Sequence, residues 1–240
     1  MGGSRKFKNK PCVYCADGIA DTGDHVFPRE IFEIEDRGYI PKVPSCTRCN
    51  NEKSKLEHYL LTALPFGGTH TNALKSLSVD AARRLNKNKK LKNQLSQEIG
   101  YGYVPKGKNE LERRMRVPFI GEKLDRFSEY AGRGLLWHHR SCRVPNGYSV
   151  AAFTPSPLGL EFVESFFSLN KMHHVKANLG NGTARYKGAI SESEEPLSIW
   201  AIQLLGGLTV AEPNNGVVFK NSFTAVVIAP TKHIEELNIQ

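Results

Sequence analysis

Four cysteines in two Cys-x2-Cys pairs constrain the first fifty residues of this chain more than any other feature. The pairs are Cys12 with Cys15 and Cys46 with Cys49. Each pair offers two thiolates side by side, and two pairs supply the four soft ligands of a tetrahedral zinc site. A zinc ion held by four thiolates keeps no open position for chemistry. The spacing therefore predicts a structural zinc site, and any catalysis has to come from other residues.

Cysteine usage and hydropathy point to a reducing, aqueous compartment. The 240 residues include five cysteines, too few for a disulfide scaffold. The fifth, Cys142, is expected to be a small buried hydrophobe. No apolar run reaches the length of about eighteen residues that a membrane span needs, and no apolar stretch follows the basic N-terminus. We expect a cytoplasmic protein that does not enter a membrane.

Positive charge is concentrated in the middle of the chain. Lys and Arg exceed Asp and Glu by 17 to 7 over residues 71–145, a net charge of +10, whereas residues 1–70 carry +1 and residues 146–240 carry −2. A localised basic stretch is the usual electrostatic footprint of a polyanion partner. The alternative is a solvated helix face without a partner. A nucleic-acid partner predicts binding that weakens steeply with salt.

Hydropathy periodicity predicts an α+β chain of three regions. Residues 1–70 form the cysteine module and end in a helix over 50–64. Residues 71–145 are predicted to be a basic helical region, with helices over 72–99, 110–116 and 122–137 and a loop over 100–108. Residues 146–240 are predicted to be a mixed α/β domain with an antiparallel sheet, with strands over 148–153, 184–190, 197–210, 216–219 and 223–229 and a helix over 158–169.

An Asp-His pair between the cysteine pairs is the first candidate for chemistry. Asp24 offers a hard oxygen ligand suited to Mg²⁺ or Mn²⁺. The imidazole of His25 titrates near neutrality and can take a proton from water. In an extended segment the two side chains point to opposite faces, so a bend is needed for both to address one centre.

These motifs together resemble the HNH nuclease family, whose ββα-metal fold carries a four-cysteine zinc site. The resemblance covers about residues 10–60 and consists of Cys-x2-Cys, Asp-His-x-x-Pro and Cys-x2-Cys-Asn-x-x-Lys. It implies that Asp24 is a ligand of a catalytic divalent cation, Mg²⁺ or Mn²⁺, and that His25 is the general base. It also implies that Asn50 is the second ligand, at the start of the helix. Lys53 matches the lysine of the motif.

The family resemblance implies hydrolysis of phosphodiester bonds by an endonuclease. Water attacks phosphorus in line, and one hard cation stabilises the leaving 3′ oxygen. Products carry a 5′ phosphate and a 3′ hydroxyl. The nearest candidates to clamp a neighbouring phosphate are Arg29, Arg48 and Lys53. His58 lies about 80° around an ideal helix from Asn50, so it is a further candidate ligand; the alternative is a surface or substrate-contacting histidine.

The expected partner is nucleic acid, with double-stranded DNA preferred, although the sequence does not separate DNA from RNA. Six further residues are candidate phosphate contacts: Arg83, Arg84, Lys87, Lys89, Lys90 and Lys92. The competing interpretation is a zinc-stapled nucleic-acid-binding or regulatory protein without catalysis. A homodimer, a regulatory ligand or partner at the C-terminal domain, and a role in phage defence, restriction or a mobile element all stay open.

Overall fold

The chain folds into a mixed α/β structure with antiparallel sheets. The computed structural model describes residues 5–105, 110–211 and 218–236. Its α-helices are α1 Thr47–Gly67, α2 Thr71–Lys75, α3 Ala82–Lys87, α4 Lys89–Glu98, α5 Gly121–Arg140, α6 Pro157–Leu169 and α7 Thr231–Glu236. Its strands are β1 Thr22–His25, β2 Lys42–Ser45, β3 Gly100–Pro105, β4 Leu111–Arg116, β5 Tyr148–Phe153, β6 Val175–Leu179, β7 Ala184–Ile190, β8 Ser198–Leu204, β9 Leu208–Ala211, β10 Val218–Ser222 and β11 Thr224–Pro230.

The N-terminal module is a two-stranded hairpin followed at once by a long helix. Strands β1 and β2 pair antiparallel, with Asp24 opposite Val43 and His25 opposite Lys42. Two short 3-10 turns lie in the connection between the strands. Cys46, in extended conformation, precedes the first residue of α1. The second cysteine pair therefore spans the junction between β2 and α1.

The middle region consists of helices on both sides of a hairpin, and the predicted helix over 122–137 is confirmed as part of α5. Residues 72–99, predicted to be helical, form α2, a π-helical segment, α3 and α4, with a break at Asn88, whose φ of −112° and ψ of 76° leave the helical region. Residues 100–116 instead form the antiparallel hairpin β3–β4. The predictions of a loop at 100–108 and of a helix at 110–116 were therefore wrong.

Non-local pairing explains that error. The sequence Leu-Glu-Arg-Arg-Met over 111–115 consists of good helix formers, so local propensity favours a helix. In the structure Tyr101 pairs with Met115 and Tyr103 pairs with Arg113 across the hairpin. The Arg113 guanidinium also lies over the ring of Tyr101, 4.0 Å from its centroid. These cross-strand contacts outweigh a weak local preference.

The C-terminal region contains a five-stranded antiparallel sheet in the order β5-β11-β8-β7-β6. The predicted antiparallel sheet is confirmed, and β7 has the predicted bounds. The predicted strand over 197–210 is divided by a turn, where Leu205, Gly206 and Gly207 have positive φ, into β8 and β9. Strand β6 was not predicted because its Val-Lys-Ala-Asn-Leu sequence is only weakly β-like.

Helix α5 lies between the N-terminal module and one face of the sheet. Gly132 sits against Val226 of β11, where an added Cβ would come within 2.5 Å of a valine methyl carbon. Gly134 sits against Val26, with the corresponding distance 2.8 Å. Helix α6 covers the opposite face of the sheet, where Phe167 belongs to a second apolar cluster. The layers are therefore the N-terminal module, α5, the sheet and α6.

One apolar core joins the predicted regions. The cluster that contains Cys12 and Phe27 in the N-terminal module also contains Phe127 of α5 and Trp200 of the sheet. Helix α5, from the predicted basic region, thus supplies side chains to both neighbours. Among the described residues, no helix is long and apolar enough to cross a membrane.

Candidate functional site

The four cysteines converge at the start of the N-terminal module. Their sulfur atoms all lie within 4.8 Å of one another, and Cys15 Sγ is 3.9 Å from Cys46 Sγ. Four sulfurs at about 2.3 Å from a tetrahedral zinc ion stand about 3.8 Å apart. The thiol positions therefore fit one four-coordinate metal ion.

The backbone around the cysteine cluster also favours metal binding by the four sulfur atoms. The amides of Tyr14 and Cys46 both donate to Cys12 Sγ, each at 3.4 Å. Gly18 passes so close that an added Cβ would lie 2.7 Å from Cys15 Sγ. Burial raises the pKa of the Cys12 thiol, so a metal would have to displace its proton. The cluster fits zinc, with all four positions taken by sulfur.

Cys142 lies apart from this cluster. It was expected to be buried, but it is exposed just beyond the end of α5. Its position follows from a chain turn that sequence periodicity does not indicate: Ser141 adopts a left-handed conformation and ends the helix.

Asp24 is buried at the interface of β1 with α1. Its side chain is 11% exposed, and its Oδ2 accepts a hydrogen bond of 2.8 Å from the Tyr14 hydroxyl. The same oxygen lies 3.0 Å from Lys53 Nζ. Oδ1 makes no hydrogen bond to any described residue. One carboxylate oxygen is thus held in place while the other keeps its lone pairs.

Lys53 is the most unusual side chain in this module because its ammonium group is fully buried. It donates to the backbone oxygen of His25 at 2.6 Å and forms ion pairs with Asp24 and Glu57. An ammonium has three N–H donors, so these three acceptors satisfy it completely. The phosphate clamp predicted for Lys53 does not fit a buried, fully paired side chain. Lys53 instead ties the end of β1 to α1.

His25 is the last residue of β1 and directly follows Asp24. The chain bends at Val26 and Phe27, immediately after the pair. Burial, followed by the positive charges of Lys42, Arg29 and Lys53, lowers the pKa of His25 to about 3. Its imidazole is therefore neutral at neutral pH, but so low a pKa makes it a weak base until a bound anion offsets the neighbouring positive charges. Its surroundings are cationic.

Asn50 and His58 lie on α1 as predicted, but in different environments. Asn50 is partly buried in the first turn, three residues before Lys53 and seven before Glu57. That spacing puts the three on one helix face, the face that meets Asp24 through Lys53. His58 is exposed. The structure thus aligns Asn50, rather than His58, with the buried carboxylate.

The predicted site for a catalytic cation is less complete than the cysteine cluster. Among the described residues, one group of three or more His, Cys, Asp or Glu side chains is close enough together to hold a single metal ion. That group is the cysteine cluster. Asp24 and Asn50 supply oxygen ligands of the type that Mg²⁺ and Mn²⁺ prefer. The donor chemistry fits a hard cation, and water would have to complete its coordination.

The predicted phosphate-binding residues near the hairpin have different neighbours. Arg29 is exposed and close enough to His25 to depress its pKa. Arg48 is also exposed, but hydrogen bonding to the Cys15 thiol raises the pKa of its guanidinium. Arg29 therefore faces the candidate catalytic residue, whereas Arg48 faces the cysteine cluster.

The predicted cations of the middle region are only partly available. Arg83 forms a 2.6 Å ion pair with Asp80, and Arg84 donates to Glu30 at 2.8 Å and to the backbone oxygen of Leu61 at 3.1 Å. Arg84 therefore attaches this region to the N-terminal module and is not a free phosphate contact. The remaining cations lie on α3 and α4: Lys87, Lys89 and Lys92 are exposed, and the side chain of Lys90 lies outside the described part.

The β3–β4 hairpin offers a surface that the sequence interpretation missed. Tyr101 and Tyr103 are 61% and 66% exposed on one strand, and exposed Arg113 lies over Tyr101. Exposed aromatic rings next to a guanidinium are suited to stacking on bases. The alternating sequence Tyr-Gly-Tyr-Val over 101–104 was the signal for a strand here. It was missed because its partner strand β4 lies in the segment 110–116, which was predicted to be a helix.

Comparison with known proteins adds no family. No family model, no curated protein and no solved structure matches this chain.

Proposed function

We propose that this protein is a metal-dependent endonuclease of the HNH type that hydrolyses phosphodiester bonds in nucleic acid. The observation that carries the proposal is the junction of β1, β2 and α1. Asp24 and His25 end the first strand, and Asn50 lies in the first helical turn after the last zinc-site cysteine. The buried Lys53 connects these elements by binding both Asp24 and the His25 carbonyl.

In this proposal, His25 takes the proton from the attacking water. Its neutral imidazole has a lone pair for that purpose, and Arg29 and Lys42 provide the positive surroundings that attract a phosphodiester. The negative charge of the bound phosphodiester would raise the pKa of His25 towards the range of a general base. When bound, a divalent cation supplies Lewis-acid stabilisation at the leaving 3′ oxygen, with Asp24 and Asn50 as candidate ligands. Tyr14 and Lys53 hold Asp24 Oδ2, which would leave the unpaired Oδ1 to bind the cation.

The substrate class follows from charge. Residues 71–145 carry a net charge of +10, and Lys87, Lys89 and Lys92 are exposed there. Such a surface binds phosphates without reading sequence. We take double-stranded DNA as the first substrate, and RNA remains a substrate to test because this chemistry needs no 2′-hydroxyl.

The decisive experiment compares the wild type with His25→Ala on plasmid DNA and on a structured RNA, each with Mg²⁺ or Mn²⁺. Loss of a general base typically lowers the rate by about 10²–10⁴-fold. We expect that loss for His25→Ala, with unchanged zinc content and melting temperature. His233→Ala on α7 is the matched histidine control and should cleave like the wild type.

Two results would contradict the proposal. One is cleavage by His25→Ala at the wild-type rate. The other is intact DNA and RNA with the wild-type protein under every cation, together with tight nucleic-acid binding. The second result would favour a zinc-stapled binding protein, an alternative that one observation supports: the Asp24 carboxylate already has Lys53 as its counter-ion.

A further inference from the structure

A cleft at the C-terminal end of α5 lies apart from the candidate nuclease residues. It has a volume of about 350 Å³ and opens to solvent between α5, β5 and the strand ends where β7 stops and β8 begins. Its apolar wall consists of Leu136, Tyr148, Ile190 and Ile228. This size lies at the lower end of the range that holds small organic ligands.

Ser198 gives this cleft a buried polar group that lacks a partner. The residue is 3% exposed and lines the cleft. Its hydroxyl makes no hydrogen bond within the described part of the chain. A buried hydroxyl without a partner is unfavourable, so one that lines a cleft is suited to a hydrogen bond with a molecule bound there.

Two arginines place positive charge at the same cleft. Arg140 makes one long hydrogen bond of 3.4 Å to the backbone oxygen of His173. Arg143 uses Nη2 to bind the carbonyl oxygens of Cys15 and Ala16, at 3.1 and 2.8 Å. The other N–H groups of both guanidinium groups have no partner among the described residues. They are therefore free to bind an anion.

The cleft's one acidic lining residue does not cancel this charge. Glu192 forms an ion pair with His173, also in the cleft lining, and it is largely exposed. Two arginines against one carboxylate leave the cleft positive. Arginine forks are suited to planar or tetrahedral anions, and the apolar wall is suited to a hydrocarbon or aromatic body.

We propose that this cleft binds a small organic anion with an apolar body and a single phosphate or carboxylate head. Arg140 and Arg143 bind the head, Ser198 supplies a hydrogen bond, and the apolar wall packs on the body. Arg143 also donates hydrogen bonds to the carbonyl oxygens of Cys15 and Ala16. The bound anion therefore contacts a residue that is hydrogen-bonded to the turn of the first cysteine pair. The cleft is therefore a ligand site joined physically to the cysteine module.

Matched fragments test this proposal by isothermal titration calorimetry with the full chain loaded with zinc. Phenyl phosphate and benzoate combine an anionic head with a ring, inorganic phosphate has only the head, and benzyl alcohol has a ring without charge. We expect phenyl phosphate or benzoate to bind at least about tenfold more tightly than the other two, the effect of one charge-assisted hydrogen bond. Which of the two binds better identifies the head group.

Matched variants locate the binding. Arg140→Gln and Ser198→Ala should weaken the preferred fragment, Arg140→Gln by about tenfold or more. Arg126→Gln, on the same helix, and Ser128→Ala, a second buried hydroxyl without a partner, should leave binding unchanged. Absence of binding by every fragment would overturn the proposal, and so would equal weakening by the control variants. Neither outcome depends on nuclease activity, so the two proposals fail separately.

Discussion

The N-terminal module and the five-stranded sheet achieve order in different ways. The module has two strands of four residues each, and its interior holds four thiols and a buried ammonium group. The sheet has five strands, with α5 on one face and α6 on the other, and every residue of β11 is buried. A lone hairpin is marginal in water, whereas a covered sheet of this size is not. The candidate chemistry thus lies where a cysteine cluster and buried ion pairs add to the shared apolar core.

Replacing one cysteine of the cluster tests this difference most strongly. Cys46→Ser should abolish stoichiometric zinc binding and disorder β1, β2 and the first turns of α1, because structural zinc contributes about 10 kcal/mol or more to the folding of small modules. Hydrogen exchange followed by mass spectrometry should show fast exchange there and retained protection in β8 and β11.

Cys142→Ser is the control for that variant and should keep full zinc content, because Cys142 is exposed and outside the cluster. Equal loss of protection in β8 and β11 on Cys46→Ser would show that the sheet has no order independent of zinc.

Removing the buried ammonium group of Lys53 should have the next largest effect on stability. Lys53→Met removes the cation between Asp24 and Glu57 and leaves both carboxylates unpaired. Breaking a buried pair in this way costs about 3–5 kcal/mol. Urea unfolding should report that loss, and cleavage should fall with it because Asp24 and the His25 carbonyl lose their shared partner.

Lys55→Met, an exposed lysine on the same helix, is the matched control and should change stability by less than about 0.5 kcal/mol. Wild-type stability in Lys53→Met would mean that the buried ion pairs contribute nothing to the module.

Substitutions at two glycines of α5 should have the smallest effects on stability. One glycine contacts the sheet and the other contacts the N-terminal module, so the two variants test the two regions separately. Gly132→Ala should clash with Val226 in the sheet, and Gly134→Ala should clash with Val26, next to His25. Each overpacked methyl group should cost about 1–3 kcal/mol, offset by about 1 kcal/mol of better helix propensity.

Gly121→Ala has open space around its Cβ and should be neutral or stabilising. Thermal unfolding gives the energies, and hydrogen exchange shows the side that loosens. Gly134→Ala should loosen β1 and slow cleavage, whereas Gly132→Ala should loosen β11. The same pattern for both variants would contradict the placement of α5 between two distinct layers.

The sequence by itself was sufficient for features that depend on near neighbours. Cys-x2-Cys spacing fixes two thiolates in one turn, so the cysteine cluster followed from the chain order of Cys12, Cys15, Cys46 and Cys49. Segments rich in β-branched and aromatic residues between turn signals gave β5 and β11 and predicted the antiparallel sheet. In each case the sequence signal lies within a few residues.

Tertiary structure decided what depends on partners distant in the chain. Helix formers at 111–115 became a strand because Tyr101 and Tyr103 pair with them. From the sequence, Lys53 was interpreted as a surface cation. It is buried because α1 packs on β1, which brings it to Asp24, 29 positions away in the chain. Its second carboxylate partner, Glu57, lies four residues later on the same helix. The cleft at Ser198 likewise exists only where α5 ends against the sheet. Burial of a charge or a hydroxyl is favourable only once its partners are assembled, so no local pattern encodes it.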